Sequence, residues 1–144
     1  MIRVLVVDDH ARMRRSIRML LERSGDIEVV GEVEEGAKTL NKVKALQPDV
    51  VILDISMPDM NGFEVLKALR RLAKRPKVVM LSMNDSNDLI EKALQNGAGA
   101  YIRKHEAGSR LVPAVRQIVQ GKGTELGFAV WNVTLALAAL WGGI

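Results

Sequence analysis

The sequence predicts an α/β protein built on a five-stranded parallel sheet with helices on both faces. Two observations predict it. Short aliphatic runs such as "VLVV", "VVILD" and "KVVMLS" recur along the chain, and segments with apolar residues at helical spacing separate them. That alternation, (βα)₅, is the pattern of a parallel sheet covered on both sides. The chain of 144 residues is long enough for one domain with its own core.

"IRVLVV" reads as the first strand. "ARMRRSIRMLLERSG" follows as a helix, with Met13, Ile17, Leu20 and Leu21 on one face and Gly25 as its terminator. "IEVVGEV" is the second strand. "EGAKTLNKVKAL" is the second helix, with Leu40, Val43 and Leu46 as its stripe, and Gln47-Pro48 breaks it. "DVVILD" is the third strand and "SMPDMNG" the loop after it. "FEVLKALRRL" is a helix facing inward through Phe63, Leu66 and Leu69 or Leu72. "KVVMLS" is the fourth strand. "NDSND" is rich in capping residues and opens the helix "LIEKALQNG", closed by Gly97. "AYIRK" is a short fifth strand. The last helix of the body lies in "SRLVPAVRQIVQGKG", with Leu111, Val112, Val115, Ile118 and Val119 inward. A cap at Ser109 would place Pro113 in the first turn, where its missing N–H costs little.

Parallel sheets carry their sites at the carboxyl ends of the strands. Here those ends bear Asp8 and Asp9 (first strand), Asp54 (third), Ser82 (fourth) and Lys104 (fifth). Taken singly, each has an ordinary reading: a strand-end Asp is usually a cap or a solvated turn residue. Their convergence from four distant segments is harder to explain structurally. Two carboxylates about 4 Å apart repel by roughly 4 kcal/mol at an effective dielectric near 20. One lysine does not neutralise three acids. A hard divalent cation does, and Mg²⁺ favours carboxylates together with a phosphate. A carboxylate nucleophile, a metal and a lysine are the parts of phosphoryl transfer through an aspartyl phosphate.

These residues resemble the receiver domain of two-component response regulators. The motifs are "VDDH", "LDISMPDMNG", "LS" and "AYIRK"; "DIEVVGEVEEG" and "ALQNGAGAYIRK" are similar to the subfamily named after the nitrate regulator NarL. The resemblance covers about residues 1–121. It implies a flavodoxin-like (CheY-like) doubly wound sheet with strand order 2-1-3-4-5. It also implies Asp54 as phosphoacceptor and Lys104 as partner of the phosphoryl oxygens. Mg²⁺ would be held by Asp8 (largely through water), Asp9, Asp54 and the Ser56 carbonyl. Ser82 is implied as switch hydroxyl and Tyr101 as switch aromatic, with Pro58 and Gly62 shaping the acceptor loop. The arginine-rich first helix, through Arg12, Arg14 or Arg15, would dock the phosphodonor, a histidine kinase or phosphotransfer protein. His105 departs from the pattern: many receivers have a proline there, so the bend is less fixed. Met83 is bulkier than a small residue and would narrow access to the phosphoryl group.

Net charge is +4 and there is no cysteine, so no disulfide framework or thiolate metal site arises. The start of the chain puts acids where a signal peptide needs apolar residues, and a cytoplasmic location is expected. Past Glu125 there is no charged residue, and Phe128, Trp131 and Trp141 fall there. Residues 122–144 therefore read as a separate apolar tail. The expectation is an extra C-terminal helix that packs on the body or on a second copy through Phe128, Trp131, Leu135 and Trp141. A membrane anchor and a remnant of a lost domain are the lesser alternatives. The helix-turn-helix domain usual in NarL-like regulators is absent from this sequence, and without cations the tail offers DNA phosphates nothing. No direct nucleic acid binding is expected. The function expected is a phosphorylation-switched receiver signalling by association, not a turnover enzyme. Alternatives are a truncated transcriptional regulator, a Mg²⁺-dependent phosphohydrolase of the aspartyl-nucleophile type, and a flavodoxin-like carrier. The first would bind an operator. The second generally wants an acid where Ser56 stands, and the third a phosphate loop where "DDHARMRR" stands.

Overall fold

In the computed structural model, described for residues 1–55, 57–59, 61–83 and 86–121, five strands alternate with five helices. The elements are β1 (Ile2–Val7), α1 (Ala11–Glu22), β2 (Ile27–Val33), α2 (Thr39–Leu46), β3 (Val50–Asp54), α3 (Gly62–Arg70), β4 (Lys77–Ser82), α4 (Asn87–Gln95), β5 (Ala100–Arg103) and α5 (Ala107–Val119). All strand pairs are parallel, in the order β2-β1-β3-β4-β5. This is the order the resemblance implies. β3 is central and buried at every position, which is why it reads as an unbroken aliphatic run.

The order dictates where the helices go. The chain moves one way from β1 to β2 and the other way from β2 onward. Right-handed crossovers then put α1 on one face and α2, α3 and α4 on the other. α5 joins α1, against which it packs, while α2 packs beside α3. Leu5, Val6, Ile52, Leu53, Met80, Leu81 and Ile102 fill the middle, and the buried helix residues Ile17, Leu21, Leu66, Leu69, Leu111 and Ile118 close over them.

Three local expectations need correction. The second helix starts later than its sequence suggests: Gly36–Lys38 form a 3₁₀ turn before α2. The backbone N–H groups of Gly36 and Ala37 donate to the Asp59 carboxylate at 3.2 and 2.9 Å. That support comes from the loop after β3, and local sequence does not reveal it. The last helix starts earlier than expected. Ser109 is inside α5, its hydroxyl donating to the Glu106 carbonyl at 3.3 Å, so it is no cap and Pro113 lies within the helix. Buried Leu111, Ala114, Val115 and Ile118 hold that helix on the sheet despite the missing N–H. Val119, expected inward, is 42% exposed. The expected C-terminal helix and its contact residues Phe128, Trp131, Leu135 and Trp141 lie outside the described residues.

Candidate functional site

The site forms at the carboxyl edge of β1, β3, β4 and β5. Asp8 follows β1, and four contacts fix it. Its N–H donates to the Val33 carbonyl at 3.0 Å, which extends the pairing with β2 by one residue. Its carbonyl accepts from Arg14 Nη1 at 2.7 Å. Its Oδ1 accepts the His10 N–H at 2.8 Å, a local turn typical of Asp. Its Oδ2 faces Lys104 Nζ at 3.1 Å. Asp54, the last residue of β3, faces the same ammonium through Oδ2 at 3.3 Å. The Asp8 side chain is fully buried, and Asp54 and Lys104 nearly so.

Lys104 therefore bridges two buried acids. Burial by itself lowers the pKa of its ammonium, but the charges of Asp54 and Asp8 outweigh that and raise it. The lysine stays charged, yet it balances one carboxylate of three. Asp9 stands on the rim, with His10 Nδ1 3.1 Å from Asp9 Oδ1 and 3.3 Å from Asp8 Oδ1. One donor atom from each of Asp8, Asp9, His10 and Asp54 lies within 4.8 Å of the others. Asp8 Oδ2 and Asp9 Oδ1 are buried oxygens whose near neighbours are ion-pair contacts, to Lys104 and to His10 respectively, rather than well-directed hydrogen bonds. Buried anionic oxygens in excess of the local cations fit a hard divalent cation.

The other expected residues fall as follows. Ser82 ends β4, one residue past Leu81, the register partner of Asp54, and is buried. Tyr101 lies in β5 opposite Met80 and is fully buried. Ser56 lies outside the described residues. Pro58 is exposed. Gly62 is needed for contact: its N–H donates to the Ile55 carbonyl at 2.7 Å, and a Cβ would sit 2.7 Å from the Asp54 carbonyl oxygen and from Ile55 Cα. The bend after Lys104 is made without proline. Residues Lys104–Glu106 form a 3₁₀ turn, and an Arg103–Glu106 ion pair at 2.8 Å spans it. Met83 is 78% exposed.

Arg12 and Arg15 are exposed on α1, whereas Arg14 is committed internally. Besides the Asp8 carbonyl it pairs with Glu32 at 3.2 Å, and Glu32 also takes Arg18 at 2.8 Å. The sequence reading grouped the three arginines because they are adjacent; α1 turns Arg14 toward β2. His10 is the residue that reading missed as part of the acid cluster. Its place beside Asp8 and Asp9 in "DDH" was the available signal.

The family model for the response regulator receiver domain matches residues 4–116. The chain belongs to this family. The receiver is 36% identical over 121 residues to the "Probable transcriptional regulatory protein NarL" of Mycobacterium tuberculosis, covering 84% of this chain and 56% of that protein. It is 37% identical over 122 residues to the response regulator UvrY of Escherichia coli K12, covering 85% and 56%. The receiver thus spans about half the length of these curated relatives. Among solved structures it superposes on the signal receiver domain of the NarL response regulator from Mycobacterium tuberculosis. There the TM-score is 0.79 at 37% identity, over 83% of this chain and 97% of that one. It also superposes on the response regulator domain of Thermotoga maritima CheB, with TM-score 0.76 at 33% identity over 83% and 96%. The CheY-like fold, the NarL-like kinship and a role as a receiver in two-component signalling follow. Among the described residues no helix is long and apolar enough to cross a membrane.

Proposed function

We propose that this receiver takes a phosphoryl group onto Asp54 from a histidine kinase or phosphotransfer partner, with Mg²⁺ held by Asp8, Asp9 and Asp54. The supporting observation is the Lys104 ammonium 3.3 Å from Asp54 and 3.1 Å from Asp8, inside a cluster with more acid than base. In the transfer, an Asp54 carboxylate oxygen attacks phosphorus. The P–N bond to the donor imidazole breaks, its electron pair returns to that nitrogen, and the nitrogen takes up a proton. When bound, Mg²⁺ neutralises charge on the phosphoryl oxygens. Lys104 supplies a further positive charge, already raised in pKa and so held protonated. Asp8, tethered by Val33 and Arg14, keeps Lys104 in place before the phosphoryl group arrives.

Phosphorylation adds roughly −1.5 to −2 charge and three acceptor oxygens. The Ser82 hydroxyl, at the end of the neighbouring strand, is positioned to gain a contact to them. Movement of Ser82 would be felt by Tyr101, two strand positions from the site, and so at the surface near β5. The output on this reading is association with another protein. The chain's own chemistry is phosphoryl acceptance and slow self-hydrolysis. Exposed Arg12 and Arg15 are the residues we assign to donor docking.

The test is incubation of the chain with phosphoramidate, a small phosphodonor, followed by intact mass spectrometry. A single Mg²⁺-dependent phosphoryl adduct is expected, reduced at least about tenfold in rate by Asp9→Asn through weakened metal binding. Adduct formation equal in EDTA and Mg²⁺ would overturn the metal's role.

A further inference from the structure

His10 brings a nitrogen donor to a cluster otherwise made of carboxylate oxygens. Its Nδ1 stands 3.1 Å from Asp9 Oδ1 and 3.3 Å from Asp8 Oδ1. With one oxygen of Asp54 included, the four ligand atoms all lie within 4.8 Å of one another. These are the spacings of a coordination shell. Ligands about 2.1 Å from an octahedral ion stand roughly 3.0 Å apart when adjacent and roughly 4.2 Å apart when opposite.

The ring is brought there by its own backbone. The His10 N–H donates to Asp8 Oδ1 at 2.8 Å, which closes a short turn and leaves the ring beside both acids. His10 is also the residue before α1, in extended conformation, yet its side chain accepts no hydrogen bond from the first turn of that helix. The side chain is 67% exposed, so it fills no space in the core. Capping and packing therefore leave its position unexplained. Lys104, the other basic group at the acids, has no lone pair to give a metal.

Imidazole nitrogen suits the later first-row ions, whereas carboxylate, carbonyl and water oxygens suit Mg²⁺. A shell of oxygens alone already follows the general order of divalent affinities. An added imidazole widens the gap between Ni²⁺ or Co²⁺ and Mg²⁺.

We propose that His10 Nδ1 is a further ligand of the divalent-cation site and tilts it toward transition ions such as Co²⁺ and Ni²⁺. The inference rests on the reading that Asp8, Asp9 and Asp54 hold the cation. The three acids serve any divalent ion, and His10 sets the extra margin of the transition ions over Mg²⁺. Ligation uses the Nδ1 lone pair, with the ring proton on Nε2. The competing use of the same geometry is a hydrogen bond from Nδ1–H to the two carboxylates, which needs the opposite tautomer.

Calorimetric titration of the full chain with Mg²⁺ and with Ni²⁺ separates the two. His10→Ala keeps the backbone N–H that holds Asp8. It should weaken Ni²⁺ binding at least about tenfold, since loss even of a residue behind a metal ligand costs 10- to 100-fold. Its Mg²⁺ affinity should stay within about twofold of wild type. Asp9→Asn should weaken both ions, which ties them to the acid site. Pulsed EPR of the Mn²⁺-loaded chain should show nitrogen coupling that His10→Ala removes and that His105→Ala, at the chain's other histidine, retains. Circular dichroism confirms that each variant is folded. Unchanged Ni²⁺ affinity in His10→Ala, equal losses for Mg²⁺ and Ni²⁺, or Ni²⁺ binding indifferent to Asp9→Asn would each overturn the proposal. So would Mn²⁺ spectra without nitrogen coupling in the wild type. Those results leave the Mg²⁺ reading standing as long as wild type binds Mg²⁺ and Asp9→Asn weakens it; a wild type that binds neither ion would overturn both.

Discussion

Asp54 lies in a field that the geometry lets us weigh. At an effective dielectric near 20, attraction to Lys104 at 3.3 Å is worth about 5 kcal/mol. Repulsion from Asp8 and Asp9, whose ligand atoms are within 4.8 Å, is about 3 kcal/mol or more from each. Summed over these three groups the repulsions exceed the attraction, and the expectation is that the Asp54 charge destabilises the metal-free fold. Asp54→Asn should therefore unfold at a higher temperature than wild type in EDTA, by roughly 1–2 kcal/mol in stability, and should gain less from added Mg²⁺. Thermal melts with and without Mg²⁺ check both parts; a variant less stable than wild type in EDTA would show that the Lys104 attraction dominates. Much of this site was legible in advance. Asp8, Asp9, Asp54 and Lys104 announced themselves as charges at the ends of buried strands. Arg14 and His10 did not, because their roles depend on which way a helix face turns and on a local turn around Asp8.

Two elements are held by contacts with testable consequences. The loop after β3 passes so close to α3 that Gly62 has no room for a side chain. Gly62→Ala must shift the backbone of Asp54 or Ile55, and we expect a loss of about 1–3 kcal/mol with slower phosphoryl acceptance. Urea unfolding and the phosphoramidate reaction measure the two; wild-type values in both would mean that the loop yields freely. α5 is tied to the start of β2 by Arg116, whose guanidinium donates to both Asp26 oxygens at 2.9 and 3.0 Å. That contact, followed by a hydrogen bond from Ser24, lowers the Asp26 carboxyl to about 2. Its folded value lies below its unfolded value, so the pair contributes stability above about pH 4 that disappears as pH falls through about 2. Asp26→Asn should flatten the acid limb of stability against pH relative to wild type, seen in melting temperatures between about pH 5 and 2. Parallel curves would assign the acid limb to other carboxylates. The starts of α2 and α5 were misread from sequence because their terminal groups are satisfied by tertiary contact or by a preceding 3₁₀ turn.

At the scale of the molecule, parallel strands put all their carboxyl ends at one edge, and Asp8, Asp9, Asp54, Ser82 and Lys104 meet there from four strands. The fold was legible because every strand is a short aliphatic run and every helix has a clear apolar stripe. Strand order was not written in those patterns and came from family likeness. Phosphoryl acceptance is assigned to one residue, Asp54, so the most direct test is to locate the phosphoryl group. Treating the phosphorylated chain with borohydride reduces an aspartyl phosphate to homoserine, and peptide sequencing by mass spectrometry then reads the position. Homoserine at position 54 alone is the predicted result; homoserine at position 8 or 9, or a phosphoryl group on a hydroxyl or imidazole, would contradict it.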